Sequence, residues 1–324
     1  CHTDLGFFYD GVPTKKSLPL ALGHEVSGII VDSHDSSDFK NGDAVIIPAV
    51  IPCESCPACK FGNGSICSKQ IFFGSDIHGG FASHIITPSR GLCKIPFAIA
   101  NENDSIGDSD VTLKELSVIA DAVSTPYQSI ITSGLQQNDV AIFIGIGGIG
   151  GFGVQIAHSL GAYSIAIDID NEKLERIRPF GAQETINARE HESSKIKDLI
   201  KSIVKKNTLS LTRWKIFEMS GTKAGQELAF SLMTFGSFLS VVGYTTEKVN
   251  IRLSNLMAFA ATAQGNWGCL PKYYPEILNL VLQKKISLRP FIEFFPMSQI
   301  NEVFEQLKKH TITKRPILVP DFIQ

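Results

Sequence analysis

The chain has 324 residues, more than one hydrophobic core usually accommodates, so two domains are expected. Its 44% hydrophobic and 19% charged residues and formal charge of -2 describe an ordinary globular protein, with no electrostatic case for nucleic acid or a membrane surface as partner. No apolar run is long enough for a membrane span and no leader pattern opens the chain, which points to the cytoplasm and a small-molecule ligand.

Opening at Cys1 rather than Met, the chain reads as one truncated at its N-terminus. From Gly23 to about Leu92, short β-rich runs (VSGIIV, DAVIIP, ASHIITP) alternate with Gly, Pro and Asp, the pattern of an antiparallel or barrel-like β domain. Within it, Cys53, Cys56, Cys59 and Cys67 form C-x2-C-x2-C-x7-C in a loop rich in Pro, Gly, Asn and Ser. Four thiolates on one short loop suit a tetrahedral zinc with no open position, hence a structural site. The odd total of seven cysteines also favours metal in a reducing compartment over disulfides.

A polar loop is expected over 101–110. Strands and helices then alternate as VAIFIGIG, GGFGVQIAHSLGA, YSIAIDID and NEKLERIRPFGA, a βαβ rhythm that implies a parallel sheet. WKIFEMSG and SFLSVVGY add strands, with QELAFSLMTF between them as a crossover helix, giving a sheet of at least four strands. From YYPEILNLVLQKK to PILVP the pattern returns to isolated helices and a strand.

Gly145, Gly147 and Gly150, with Gly148 between them, spell G-x-G-x-x-G directly after a buried strand and before an amphipathic helix. The first glycine permits the tight turn, the second lets backbone approach a pyrophosphate, and the third lets helix and strand pack closely, while the helix N-terminus favours negative charge. Asp168 closes the next strand, where a carboxylate accepts ribose hydroxyls and repels a 2'-phosphate, so NAD is favoured over NADP. Asp170 is a competitor for that role, and more naturally caps the following helix.

A second, dispersed set comprises Cys1 and Asp4 in CHTD, His24 and Glu25 in GHE, and Asp121 in ADAVSTPY. Taken singly, a histidine in a Gly-rich turn is more often structural, and an Asp before an apolar helix is more often a cap. In order, however, CHTD, GHE, the four-cysteine loop, DAVSTPY, GIGGIG and IDID resemble the zinc-containing medium-chain alcohol dehydrogenases across nearly the whole chain.

That resemblance implies an α/β architecture in which a GroES-like β-rich catalytic domain, 1–121 and 267–324, is interrupted by a doubly wound Rossmann domain, 122–266, that binds NAD. It implies zinc at two sites per subunit: a structural zinc in the lobe 53–67 and a catalytic zinc on Cys1, His24 and Asp121, the last standing where many relatives have cysteine. Glu25 matches a glutamate that enters the coordination sphere during ligand exchange, Asp4 a carboxylate that orients the histidine ligand, and Thr3 the hydroxyl that takes the alcohol's proton. Gly6 stands where many relatives carry a histidine that relays the proton outward, so water is expected to serve instead. His2 and Arg315 match positions that contact the cofactor phosphates. Trp267 falls near backbone that approaches the nicotinamide, though packing between the domains explains a tryptophan there equally well. A homo-oligomer, dimer or tetramer, is also implied.

Within the family, CHTDLGFFYDGVPT, DAVSTPYQS, WKIFEMSGTKAGQE and NWGCLPKYYPE are similar to the 6-hydroxycyclohex-1-ene-1-carbonyl-CoA dehydrogenases of anaerobic benzoyl-CoA degradation. This implies a CoA thioester substrate whose ring hydroxyl becomes a ketone. Phe7, Phe8 and Tyr9 offer an apolar wall for such a ring, or plain core; Lys15, Lys16 and Arg252 are candidate phosphate partners, or solvated surface. Two rivals stand beside this reading: a zinc-dependent secondary alcohol or polyol dehydrogenase acting on a free alcohol, and a non-catalytic NAD-binding zinc scaffold.

Overall fold

Two units make up the chain, Cys1–Ser124 with Gly268–Gln324, and Thr125–Trp267. The structure, a computed structural model, describes residues 1–322 apart from 35, 100 and 102. Position 102, within the stretch expected as a loop, and positions 323 and 324, at the end of the expected catalytic domain, lie outside the described residues.

The first unit opens with helix α1 (His2–Tyr9), followed by strands β1 (Val26–Ile29), β2 (Ala44–Ile47) and β3 (Val50–Ile51), the short helix α2 (Pro57–Lys60), and strands β4 (Ile71–Phe72) and β5 (Cys93–Lys94). β1, β2 and β5 form an antiparallel sheet, and β3 pairs with β4. β2 is buried at all four positions, which is why it reads as a continuous apolar run. ASHIITP is not a strand: residues 82–88 are irregular, Ile86 is 92% exposed, and among the described residues no neighbouring strand supplies a ladder. Its β-branched residues favour a strand, but propensity without a pairing partner leaves backbone groups unmatched.

A 3-10 helix, Leu113–Ala120, begins with a capping box in which Thr112 and Glu115 exchange bonds, and delivers Asp121 at its end. Arg289 further neutralises the buried Glu115, with Nε 2.6 Å from Oε1.

After α3 (Ser124–Thr132), the second unit alternates β6 (Val140–Ile144), α4 (Gly150–Ser159), β7 (Tyr163–Asp168), α5 (Asn171–Ile177), β8 (Glu184–Asn187), α6 (Ser193–Lys206), β9 (Lys215–Glu218), α7 (Lys223–Ser231), β10 (Phe238–Val241), α8 (Asn255–Ala258) and β11 (Thr262–Gly265). The six strands are parallel in the order β11-β10-β9-β6-β7-β8, two more than the minimum expected. Asp170 caps α5 through Glu172 N and Lys173 N. Ile142, Ile165, Ile200, Ile216 and Trp214 are fully buried in its core, each contributing about 1.5–3 kcal/mol of transfer free energy. The chain then returns to the first unit with α9 (Tyr274–Leu282), β12 (Ile292–Pro296), α10 (Ile300–Lys308) and β13 (Arg315–Val319), where β12 and β13 pair in parallel. No described helix is long and apolar enough to cross a membrane.

Candidate functional site

Cys53, Cys56, Cys59 and Cys67 converge in the loop around α2, every pair of sulfurs lying within 4.8 Å. Pro57 at the first helical position and Gly62 at φ +78° fold the loop back on itself, bringing Cys56 Sγ 3.5 Å from Cys59 Sγ and 3.8 Å from Cys67 Sγ. The Ser55 hydroxyl and backbone N–H groups draw Cys53 down to about 5, whereas burial and neighbouring sulfurs push Cys59 up to about 12. Thiols crowded this closely cannot all ionise on their own. A dication removes that conflict, so the donor set fits zinc.

The dispersed residues also meet. Asp121 Oδ2 lies 3.6 Å from Cys1 Sγ and 3.6 Å from His24 Nε2, and one donor atom from each of Cys1, His24 and Asp121 falls within 4.8 Å of the others. Ligands about 2.0–2.3 Å from a shared ion in tetrahedral geometry stand about 3.3–3.8 Å apart, so these spacings fit zinc. His24 is buried, and its Nδ1 lies 3.4 Å from Asp4 Oδ1 without hydrogen-bond alignment. Burial disfavours its charged form, but Asp4 and Asp121 outweigh this and raise His24 to about 10. Asp4 itself is buried and also accepts from Gly23 N at 2.9 Å; although burial opposes ionisation, His24 and that N–H hold it well below the usual carboxylate range. The pocket is electrostatically built for positive charge.

Asp121 is fixed from behind. The carbonyl of Ala120 accepts from Tyr274 Oη at 2.5 Å, Ser124 Oγ at 3.2 Å and Ala49 N at 3.3 Å. Tyr274 is wholly buried, and nothing local in its sequence announces that role.

Glu25 accepts from Ala122 N at 3.0 Å and from the Nε–Nη2 edge of the Arg315 guanidinium, whose Nε is 2.9 Å from Oε2 and whose Nη2 is closer still. Arg315 is buried and also reaches within 3.8 Å of Asp121 Oδ2. The side chain expected at the cofactor phosphates is therefore engaged by a carboxylate beside the Cys1, His24 and Asp121 cluster.

Thr3 is exposed, with Oγ1 3.5 Å from Cys1 Sγ. His2 is exposed in the first turn of α1, and Trp267 is half exposed. Phe72, which stood out in no motif, packs on His24 at 5.1 Å and on Phe7 at 6.1 Å between ring centroids, while Phe8 is 57% exposed. A cavity of about 1160 Å³ adjoins Cys1 and His24, with Val26, Ile47, Phe81 and Phe304 among its walls. Lys15 pairs with Asp76, and Arg252 is exposed beside Ser254.

In the second unit, Gly145 has φ +89°, and a Cβ on Gly150 would lie 1.8 Å from the Gly145 carbonyl oxygen, whereas one on Gly147 would meet nothing within 4 Å. Gly148 is exposed in the same turn. The backbone therefore requires glycine at the first and third positions and is open at the second, where a pyrophosphate would approach the N-terminus of α4. Asp168 accepts from Ile146 N at 2.6 Å, Ile169 N at 2.7 Å and Asp170 N at 3.0 Å, which leaves about one of a carboxylate's four acceptor positions for a ribose hydroxyl.

Known proteins match this description. Residues 1–97 match the alcohol dehydrogenase GroES-like domain and residues 148–283 the zinc-binding dehydrogenase domain. An alcohol dehydrogenase of Geobacillus stearothermophilus is 28% identical over 98% of this chain and 88% of its own length. The galactitol 1-phosphate 5-dehydrogenase of Escherichia coli (strain K12) is 29% identical over 85% of this chain and 76% of its own. A solved structure of galactitol-1-phosphate dehydrogenase from Escherichia coli superposes with a TM-score of 0.86 at 25% identity, covering 99% of this chain and 89% of that one. The NAD-dependent alcohol dehydrogenase of Sulfolobus acidocaldarius is 26% identical over 98% of this chain and 88% of its own length. With a GroES-like unit and a parallel Rossmann sheet each matched to its counterpart, the chain belongs to the zinc-dependent medium-chain alcohol dehydrogenase family, oxidoreductases that use NAD and zinc.

Proposed function

We propose that the chain oxidises the ring hydroxyl of 6-hydroxycyclohex-1-ene-1-carbonyl-CoA to the 6-oxo thioester, in benzoyl-CoA degradation, with Cys1, His24 and Asp121 holding the zinc at which this occurs. The convergence of thiol, imidazole and carboxylate from three separate segments within 4.8 Å carries the catalytic reading. When bound, zinc supplies Lewis acidity that lowers the alcohol's pKa, and NAD supplies the hydride acceptor. Asp4 faces Nδ1 of His24, leaving Nε2 toward the donor cluster. Thr3 Oγ1 takes the alcohol's proton and, being exposed, passes one to water, because Gly6 offers no imidazole. Arg315 holds Glu25 beside the cluster until ligand exchange needs it.

The ring substrate is supported by the sequence strings quoted above and by the apolar Phe7 and Phe72 next to His24. The thioester assignment rests on the strings alone. A phosphorylated or free polyol is the second reading, favoured by the likeness to the galactitol 1-phosphate enzyme. Homo-oligomeric assembly, as dimer or tetramer, goes with either substrate. NADH formation measured with the cyclic hydroxyenoyl-CoA, galactitol 1-phosphate and simple secondary alcohols separates them: the highest kcat/KM is expected with the thioester, and a preference for either other class overturns it.

A further inference from the structure

Glu218 ends β9 and is completely buried at the carboxyl edge of the parallel sheet. Its Oε1 accepts from Ser220 N at 2.9 Å, Ser220 Oγ at 2.5 Å and Gly221 N at 3.1 Å. Its main-chain carbonyl accepts from Val242 N at 2.9 Å and Gly243 N at 3.1 Å. The second carboxyl oxygen, Oε2, has no hydrogen-bond partner among the described residues and faces Gly243, where a Cβ would come within 2.7 Å. An apolar residue would fill such a position at far less desolvation cost, as Ile216 and Phe217 do earlier in the same strand. The retained carboxylate therefore needs a reason beyond packing.

Topology supplies one. The chain fills β7 and β8 on one side of β6 and then β9, β10 and β11 on the other, so the order reverses between β6 and β9. Ligands of open parallel sheets bind outside the carboxyl ends of strands at such a reversal. Ile144 of β6 is in register with Glu218 of β9, and the residues that follow them touch: a Cβ on Gly145 would lie 2.6 Å from both N and Cα of Ser220. The backbone of Ser220 is thus the wall against which the glycine turn seats, and the Glu218 side chain holds that wall by two bonds to Ser220 and one to Gly221.

We propose that Glu218 is a positioning residue of the dinucleotide site, pinning the Ser220–Gly221 turn against Gly145 and, through its carbonyl, the Val242–Gly243 turn, so that the crevice between β6 and β9 is formed before the cofactor arrives. This rests on the reading of the glycine turn as the NAD site. Burial raises the Glu218 carboxyl above its ordinary value, outweighing the N–H and O–H donors that favour its charge.

The test titrates NADH fluorescence against the zinc-loaded wild type, Glu218→Ala, Glu218→Gln and Ser220→Ala, alongside steady-state kinetics with saturating alcohol. For Glu218→Ala, Kd for NADH and KM for NAD rise about tenfold while kcat at saturating NAD falls less than about threefold. Glu218→Gln, whose amide oxygen still accepts from the three donors, stays within about threefold of wild type. Ser220→Ala, which deletes one bond, weakens NADH binding about threefold and decides the matter if Glu218→Ala does not fold. Unchanged NADH affinity in Glu218→Ala, or a loss of kcat with unchanged KM for NAD, overturns the proposal. A wild type that fails to bind NADH refutes the dinucleotide reading instead.

Discussion

One methyl group added to either of two glycines in the same turn separates folding from cofactor binding. A Cβ on Gly150 would lie 1.8 Å from the carbonyl oxygen of Gly145 and 3.0 Å from its carbon. Carbon–oxygen contacts close at about 3.3 Å, so the clash is about 1.5 Å deep and falls on backbone at the buried join of β6 and α4. Relief must displace the turn or the helix start, and overpacking of this kind costs about 1–3 kcal/mol, or roughly 2–10 °C in melting temperature for a unit of this size. A shift of that depth in a binding turn also costs about a hundredfold in function. On Gly147 the same methyl group meets nothing within 4 Å, so Gly147→Ala melts within about 0.5 kcal/mol of wild type. It still obstructs the approach of the pyrophosphate and weakens NADH binding at least about tenfold. Thermal unfolding without nucleotide and NADH titration measure the two effects. Wild-type NADH affinity in Gly147→Ala, or wild-type melting in Gly150→Ala, would refute the reasoning.

Asp121→Ala lowers bound zinc from two ions per subunit to the one in the thiol loop and cuts turnover more than about a hundredfold; elemental analysis with kinetics checks this, and retained turnover revives the non-catalytic scaffold. Arg289→Ala leaves the buried Glu115 without its cation, and because Arg289 is itself half exposed the expected loss is about 1–2 kcal/mol in urea unfolding; no loss would mean the Thr112 bonds suffice. A carboxyl raised above its ordinary 4.5, as Glu218 is, binds its proton more tightly in the folded state. Its stabilisation is full below the unfolded value and is lost as pH rises through the folded one. Glu218→Gln therefore gains stability relative to wild type as pH rises above the ordinary 4.5, and a difference that stays flat with pH contradicts the burial argument.

Features made from neighbouring residues were legible in the sequence. The thiol loop and the glycine turn are each contiguous, so spacing alone reports their geometry. The Cys1, His24 and Asp121 cluster became readable only as a set, through its order along the chain. What stayed hidden depends on distant pairing: Arg315 meets Glu25 across 290 positions, and Tyr274 reaches the Ala120 carbonyl across 154. Strand signals failed in both directions for the same cause. ASHIITP has the composition and no ladder, whereas β11, TAQG, is exposed at every position yet is a strand because β10 supplies the hydrogen bonds. Glu218 reads as the polar end of a strand, and only the adjoining turns reveal that it is buried.

The two sets of zinc donors differ in how far the chain must fold before each exists. Cys53 and Cys67 are 14 positions apart, whereas Cys1 and Asp121 are 120 apart. Closing the longer loop costs about 2 kcal/mol more in chain entropy, before the packing that also has to hold it shut. With zinc at both proposed sites, metal is expected to enter the thiol loop early, while much of the polypeptide is still disordered, and to reach the Cys1, His24 and Asp121 cluster last. In the opposite direction, a chelator is expected to strip the cluster first and leave a folded, inactive protein with its lobe intact. On the proposed assignment, preparations expressed with limiting zinc are expected to contain that half-metallated species and to regain activity on metal addition without refolding.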